Sequence, residues 1–310
     1  MKTFLKYSKK LGSNFLLTQG PGGNTSIKIK EDIYIKKSGM YLSDSNKKNV
    51  FQKVNLKDVR FFYKNEQSDK KFLKSLSIET PLHVLLNDKY VFHYHSVSSI
   101  ITSLIYSKSQ IKNYIEENAI NFVDYKRPGY ELALEVYNKK NCELVSSYFL
   151  ENHGMIVSGD NIENVYKNIY FNENMFSKII DFEKLENLIN NIDLKVKNKC
   201  VTFTNLNPNL NFEIFNNKFF FPDHAVFLPF KFIKINSKNQ MKKGRNTIYF
   251  DDKFLYLNFK INKVQKIYLK TLLSICFYIE NKKIHNFINL DKANKLRFSD
   301  DEIQRIQLNK

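Results

Sequence analysis

Cysteine is scarce in this chain: three among 310 residues. Cys142, Cys200 and Cys276 stand far apart and form no C-x-x-C pair, which argues against a disulfide framework and for a reducing cytoplasm. Long apolar runs are also missing. None approaches the roughly 20 residues that a membrane-spanning helix needs, and lysines break up the opening MKTFLKYSKKLG, so neither a transmembrane segment nor a secretion signal is expected. Acidic side chains are outnumbered, 31 against 49 basic ones, for a net charge of +18. Such an excess suits nucleic acid, an anionic surface or a phosphorylated substrate. Here the lysines are scattered among asparagines and isoleucines, with no basic run interleaved with aromatics and no recognisable binding motif. Nucleic acid is therefore not an expected partner. Internal repeats and low-complexity linkers are absent as well, and a hydrophobic content of 43% suffices for one large domain or two smaller ones.

What is present is a succession of short strands and helices with turn chemistry between them. Residues 1–17 carry a helical pattern with Phe4, Leu5, Leu11, Phe15 and Leu16 on the apolar side. Gly20-Pro21-Gly22-Gly23 can hold neither a helix nor a central strand and reads as a tight loop. Residues 25–30 and 33–37 alternate as a hairpin about Glu31-Asp32, ended by Lys37-Ser38-Gly39. Two small-residue turns can cradle an anion, because glycine lets backbone N–H groups come close, although most such turns are only turns. A strand is expected at 59–63, a helix from Thr80-Pro81 onward, a strand at 89–96 and a helix at 98–107. A loop-rich connection follows through 111–130, then a helix at 131–137, strands on either side of a turn at 151–154, and a long helix over 161–188. Beyond about 190 the texture becomes asparagine-rich, with a compact FFFPDHAVFLPFKF segment, a hairpin about Asp251-Asp252 over 247–259, and a helix over 261–282. In that helix Ile261, Val264, Tyr268, Leu272, Ile275 and Ile279 form one apolar stripe. Residues 290–310 read as a charged helical end. The chain thus divides into a first unit, 1–190, and a C-terminal extension, 191–310, docked on it.

The chemistry gathers around KYVFHYHS. Side chains two apart in a strand share a face, so His93 and His95 project together while Phe92 and Tyr94 point the other way. Alone, such a pair is more often two polar residues on a strand face than half of a metal site. Upstream, Glu79 in SIETPLH stands at or just before a helix N-terminus, where the dipole favours its ionised form, as a capping or as a catalytic glutamate. Downstream, His153 lies in the turn ENHG. Three neutral imidazoles with one coordination position left for substrate, and a carboxylate beside them, are the residue types of a catalytic divalent-metal site. Spacing alone does not bring them together.

GPGGNTS with KSG, SIETPLH, FHYHS, YKRPGYELA and LENHGMIVSG occur in the order and approximate spacing of the class II aldolase/adducin head-domain superfamily, which residues 15–185 resemble. The similarity is nearest to the rhamnulose-1-phosphate aldolase branch, which has comparable TPLH and RPG-x-x-LA elements and a later PDH segment, matched here by Phe221-Pro222-Asp223-His224. The resemblance implies an α/β fold, a three-layer αβα arrangement around a central, largely antiparallel sheet, followed by a C-terminal α+β extension. It implies His93, His95 and His153 as ligands of Zn2+ or another divalent metal such as Mn2+ or Co2+. Glu79 would ligate the resting metal or take the proton next to the carbonyl. Gly23, Asn24, Ser38, Gly39 and Ser77 would cradle the substrate phosphate, and Tyr125 would act as an acid across a subunit interface. The implied activity is that of a lyase, cleaving or forming a C–C bond in a small phosphorylated ketose through an enediolate, in a cytoplasmic homo-oligomer, commonly a tetramer. Epimerase, decarboxylase and dehydratase relatives use the same metal site, and adducin-like relatives keep the fold as a non-catalytic scaffold.

Some positions depart from the pattern. Ile78 stands where many single-domain sugar-phosphate aldolases have a second serine, and Glu79 where the nearest branch usually has aspartate. No second glycine fingerprint follows a strand, so the dehydrogenase domain often fused to that branch is not expected. His83, one turn beyond Glu79, reads equally as a support for the ligands or as a structural residue. His224 reads as a buried, hydrogen-bonded histidine and His285 as a surface one.

Overall fold

The computed structural model describes residues 1–65, 76–139, 145–192, 196–197, 200–202, 210–242, 247–251, 254–257 and 260–309. Cys142 and Asp252 of the expected Asp-Asp turn lie outside the described residues.

Short alternating segments build a seven-stranded sheet from β1 (Asn24–Ile29), β2 (Asp32–Lys36), β3 (Phe51–Asn55), β4 (Tyr90–Tyr94), β5 (Ile120–Val123), β6 (Val145–Leu150) and β7 (Gly154–Gly159). The order is β3-β2-β1-β4-β7-β6-β5, and every neighbouring pair is antiparallel except β5–β6, which is parallel. β4, the HYH strand, is the middle strand and is buried on both faces. Phe92 and Tyr94 enter a cluster with Phe4, Phe149, Val165 and Phe176, under the helices Lys2–Ser13 and Ile162–Phe176. Val91 enters the opposite cluster with Leu82, Val136 and Ile156, under the helices Thr80–Leu85 and Tyr130–Asn138. The period of two therefore sorts β4 as its sequence predicts, and helices cover both faces in the expected three layers.

A second sheet contains β8 (Val196–Lys197), β9 (Cys200–Thr202), β10 (Lys231–Lys234), β11 (Thr247–Phe250) and β12 (Phe254–Leu257), in the order β10-β11-β12-β9-β8. Beside it lies the helix Lys263–Tyr278. Its apolar stripe is buried in a cluster that also takes Val97, Ile100, Ile101 and Leu104 from the helix Val97–Ile105. One continuous core thus joins the C-terminal region to the helix that follows the HYH strand.

Three local expectations are corrected. Residues 59–63 are helical, within Leu56–Asn65. The Asn55 side chain accepts the N–H groups of Lys57 and Asp58 and so caps that helix, a signal that outweighs the β propensity of Val59–Tyr63. The connection at 111–130 contains the helix Lys108–Glu116 and β5; a capping box between Ser107 and Gln110 starts the helix. The long helix at 161–188 is two, Ile162–Phe176 and Phe182–Asn191, the second begun by Asp181 as N-cap. Among the described residues, no helix is long and apolar enough to cross a membrane.

A candidate metal centre between the sheet and the C-terminal helices

β4 carries His93 near its end and delivers His95 just beyond. His93 pairs with Asn24 of β1 on one side and Ile156 of β7 on the other. The turn between β6 and β7 brings His153 back to the same edge. That turn needs Asn152 at φ +54° and Gly154 at φ +145°. A Cβ on Gly154 would lie 2.3 Å from the Tyr94 carbonyl oxygen, so only glycine fits there. The three imidazole rings are mutually close, with centroids 5.0 Å apart for His93–His95, 4.8 Å for His93–His153 and 5.1 Å for His95–His153.

Glu79 closes the group. It is the N-cap residue of the helix Thr80–Leu85, one position earlier than Thr80, and its side chain makes no capping bond. Instead its Oε1 lies 3.1 Å from Nε2 of His93 and 4.0 Å from Nε2 of His95. One donor atom from each of Glu79, His93, His95 and His153 falls within 4.8 Å of all the others. Burial pushes the Glu79 carboxyl up, but the neighbouring imidazoles, His93 first, outweigh it and hold the carboxyl well below its ordinary value. Burial pushes His153 well below the usual histidine range, which favours the neutral imidazole a metal requires. The buried Nδ1 of His153 has no hydrogen-bond partner among the described residues. Nδ1 of His93 lies 3.0 Å from the Met155 carbonyl oxygen, a contact that places the proton there and leaves Nε2 as an electron-pair donor. Nitrogen and oxygen donors so arranged fit a divalent cation such as zinc.

The two glycine turns flank the group. Gly23 sits at φ +65°, and a Cβ there would come within 3.0 Å of the His93 carbonyl. Its N–H points at Nε2 of His95, 3.4 Å away. Asn24 Nδ2 donates to Ser77 Oγ and to the Lys36 carbonyl, each at 3.3 Å. Gly23, Ser38, Gly39 and Ser77 line a cavity of about 20 Å³ together with Ile78, Glu79, His95 and His153. That is room for about one water. Tyr125 is not among its lining residues; its hydroxyl is buried without a hydrogen-bond partner among the described residues, and burial raises its pKa. Of the other histidines, His83 Nδ1 lies 2.8 Å from Ser26 Oγ. His224 Nδ1 accepts the Phe220 N–H at 3.1 Å, a buried, hydrogen-bonded histidine as expected, and burial lowers its pKa to about 3.

Four cavity residues were not anticipated from the sequence. Lys36 is fully buried, and its ammonium donates to the Pro21 and Met40 carbonyls, both at 2.9 Å. It pins one glycine turn to the other, and burial lowers its pKa to about 8. The other three come from the C-terminal region. Asp223 is 0% exposed, and its Oδ2 lies 3.1 Å from Nδ1 of His95. Arg305 donates to Asp223 Oδ1 and, through Nη1, to both carboxylate oxygens of Glu302 at 3.2 and 3.3 Å. Burial pushes Glu302 up to about 7. The PDH segment was a sequence signal for Asp223; nothing in the lysine-rich tail distinguished Glu302 and Arg305 from surface charge.

Residues 2–179, which contain every donor of the cluster, match the family described as Class II Aldolase and Adducin N-terminal domain. The chain belongs to the class II aldolase and adducin family. It is 31% identical over 186 residues to "Uncharacterized oxidoreductase YuxG" of Bacillus subtilis (strain 168), a match that takes in 52% of this chain and 26% of that protein. The chain therefore spans about a quarter of that relative. Among solved structures, the N-terminal class II aldolase domain of a conserved protein from Thermoplasma acidophilum is 27% identical, covering 53% of this chain and 85% of that one at a TM-score of 0.46. L-fuculose-1-phosphate aldolase from Thermus thermophilus is 16% identical, covering 60% and 98% at a TM-score of 0.42. Membership of the aldolase and adducin family accounts for the sheet.

Proposed function

We propose that this protein is a divalent-metal-dependent lyase of the rhamnulose-1-phosphate aldolase branch, cleaving or forming the C–C bond next to the carbonyl of a small phosphorylated hydroxy-ketone. The observation that carries this reading is the convergence of Glu79, His93, His95 and His153 on one edge of the sheet, with glycine turns beside them. His93, His95 and His153 would hold the metal, zinc or a similar ion such as Mn2+ or Co2+, which supplies a Lewis acid for the substrate carbonyl. Glu79 is the base. A carboxylate held low by imidazoles is a weak one, so it acts after swinging away from them, and its lack of a capping bond leaves it able to turn. Asn24, Ser77, Ser38 and the N–H groups about Gly23 and Gly39 would receive the phosphate. The Ser38–Gly39 turn and Glu302 and Arg305 of the helix Asp300–Leu308 line the same cavity and would border the bound substrate.

On this reading residues 1–190 form the catalytic unit, 191–310 dock on it, and the enzyme works in the cytoplasm as a homo-oligomer in which Tyr125 serves a neighbouring subunit. The Tyr125 hydroxyl is buried within its own chain and would have to be uncovered for that role; light scattering tests the assembly. The deciding experiment is a retro-aldol screen of metal-loaded protein against ketose 1-phosphates. Release of dihydroxyacetone phosphate, lost in Glu79→Gln while metal is retained, is the expected result. If no ketose phosphate is cleaved, the lyase assignment is wrong.

A further inference from the structure

Asp223 lies far from the first unit in sequence, yet it is the carboxylate beside a metal-binding histidine. An imidazole that binds a metal through one nitrogen needs its other N–H fixed, or the ring turns and the tautomer is lost. His93 has the Met155 carbonyl for this purpose. His95 has Asp223 at ion-pair distance, with Nδ1 and Oδ2 3.1 Å apart and Oδ2 buried without a hydrogen-bond partner among the described residues, free to accept the ring N–H. A carboxylate makes the ring a stronger donor than a carbonyl does.

The neighbours of Asp223 fix which oxygen meets the ring. Arg305 takes Oδ1, and Glu302 takes the other arm of the guanidinium, which leaves Oδ2 facing His95. Gly22 makes room for the meeting. A Cβ built on it would lie 2.7 Å from Nδ1 of His95, 3.0 Å from the Gln19 carbonyl and 3.1 Å from Oδ2 of Asp223, so a side chain there would have to displace the ring or the loop.

We propose that Asp223 is a positioning residue for the metal ligand His95, held in place by Arg305 and Glu302, so that the C-terminal region tunes the affinity of a site whose ligands all lie in the first. The inference rests on the reading of Glu79, His93, His95 and His153 as a metal site. A residue that only pairs with Arg305 would affect folding but not metal affinity.

The test is zinc affinity of the full chain, measured by competition with a chromophoric chelator, together with the visible spectrum of the Co2+-loaded protein. Asp223→Asn keeps the volume and removes the charge. It should raise the zinc dissociation constant about 10- to 100-fold and shift the cobalt spectrum. Wild-type affinity with an unchanged spectrum overturns the proposal. Should Asp223→Asn fail to fold, Arg305→Lys, which keeps the positive charge but loses the two-armed hold on Asp223 and Glu302 and leaves His95 untouched, carries the same test: weaker zinc binding supports the role and wild-type binding refutes it. His93→Ala separates the two levels. If wild-type protein binds no zinc, or His93→Ala binds it undiminished, the metal-site reading falls and the positioning role with it. If His93→Ala loses zinc and Asp223→Asn does not, the positioning role alone falls.

Discussion

Glu173 offers a test of the electrostatics beneath the site. It is a buried carboxyl in the helix Ile162–Phe176. Its Oε2 accepts the Ser98 hydroxyl at 2.8 Å, and Ser98 Oγ is 2.8 Å from the hydroxyl of Ser96, the residue after His95. Burial pushes the Glu173 pKa from 4.5 to about 7, more than its hydroxyl partners can offset. Because the folded value is the higher one, the folded chain keeps this proton after the unfolded chain has released it. The contribution to stability is therefore complete below pH 4.5 and is lost as pH rises to about 7. At 1.36 kcal/mol per unit, that loss is about 3 kcal/mol. Glu173→Gln imitates the protonated form and has nothing to titrate. The difference in unfolding free energy, Gln variant minus wild type, should thus climb by about 3 kcal/mol between pH 4.5 and pH 8. Glu302, also raised to about 7, and every other group common to the two proteins cancel in that difference. The chain has no tryptophan, so urea unfolding is followed by far-ultraviolet circular dichroism. A difference that stays flat across that range would refute the claim that burial governs this carboxyl.

Other outcomes follow from the same contacts. Gly154→Ala forces a Cβ to 2.3 Å from the Tyr94 carbonyl at φ +145° and should cost at least about 3 kcal/mol; a variant that melts with wild type contradicts the tightness of the His153 turn. Arg305→Leu strips Asp223 and Glu302 of their shared cation and should destabilise by about 3–5 kcal/mol, read from denaturant midpoints at neutral pH. Removing metal with a chelator should lower the melting temperature, and zinc at 100 times its dissociation constant should restore about 2.7 kcal/mol. A melting temperature indifferent to both would count against a metal-binding native state.

The candidate donors were visible one by one in short motifs, but their grouping came from the family resemblance, because local geometry does not bring residues so far apart in sequence together. Two histidines at i and i+2 in a strand share a face, Glu79 precedes a Thr-Pro helix start, and His153 precedes a glycine that alone tolerates φ +145°. The glycine turns were visible for the same reason. Arg305 and Glu302 were not, since a charged side chain on an amphipathic tail looks alike whether it faces water or a cavity. Only the fold decides, by setting Asp223 and Arg305 side by side across 82 residues. Lys36 was hidden in a run of scattered lysines for the same cause. The helix Lys108–Glu116 is a different case: its Ser107–Gln110 box is a local signal, masked by the polar residues around it, which share their composition with loops.

The way this cavity wall is spread along the chain bears on how the protein is made. At ~5–20 residues per second, a ribosome needs on the order of ten seconds to travel from His153 to Arg305. During that interval the three imidazoles exist without the wall that Asp223, Glu302 and Arg305 later supply. On the metal-site reading, an ion captured by the growing chain meets the imidazoles before this wall exists, whereas one arriving at the finished protein meets a cavity lined by it. On that reading, the order in which ions meet the chain bears on which one is bound, as well as their relative affinity.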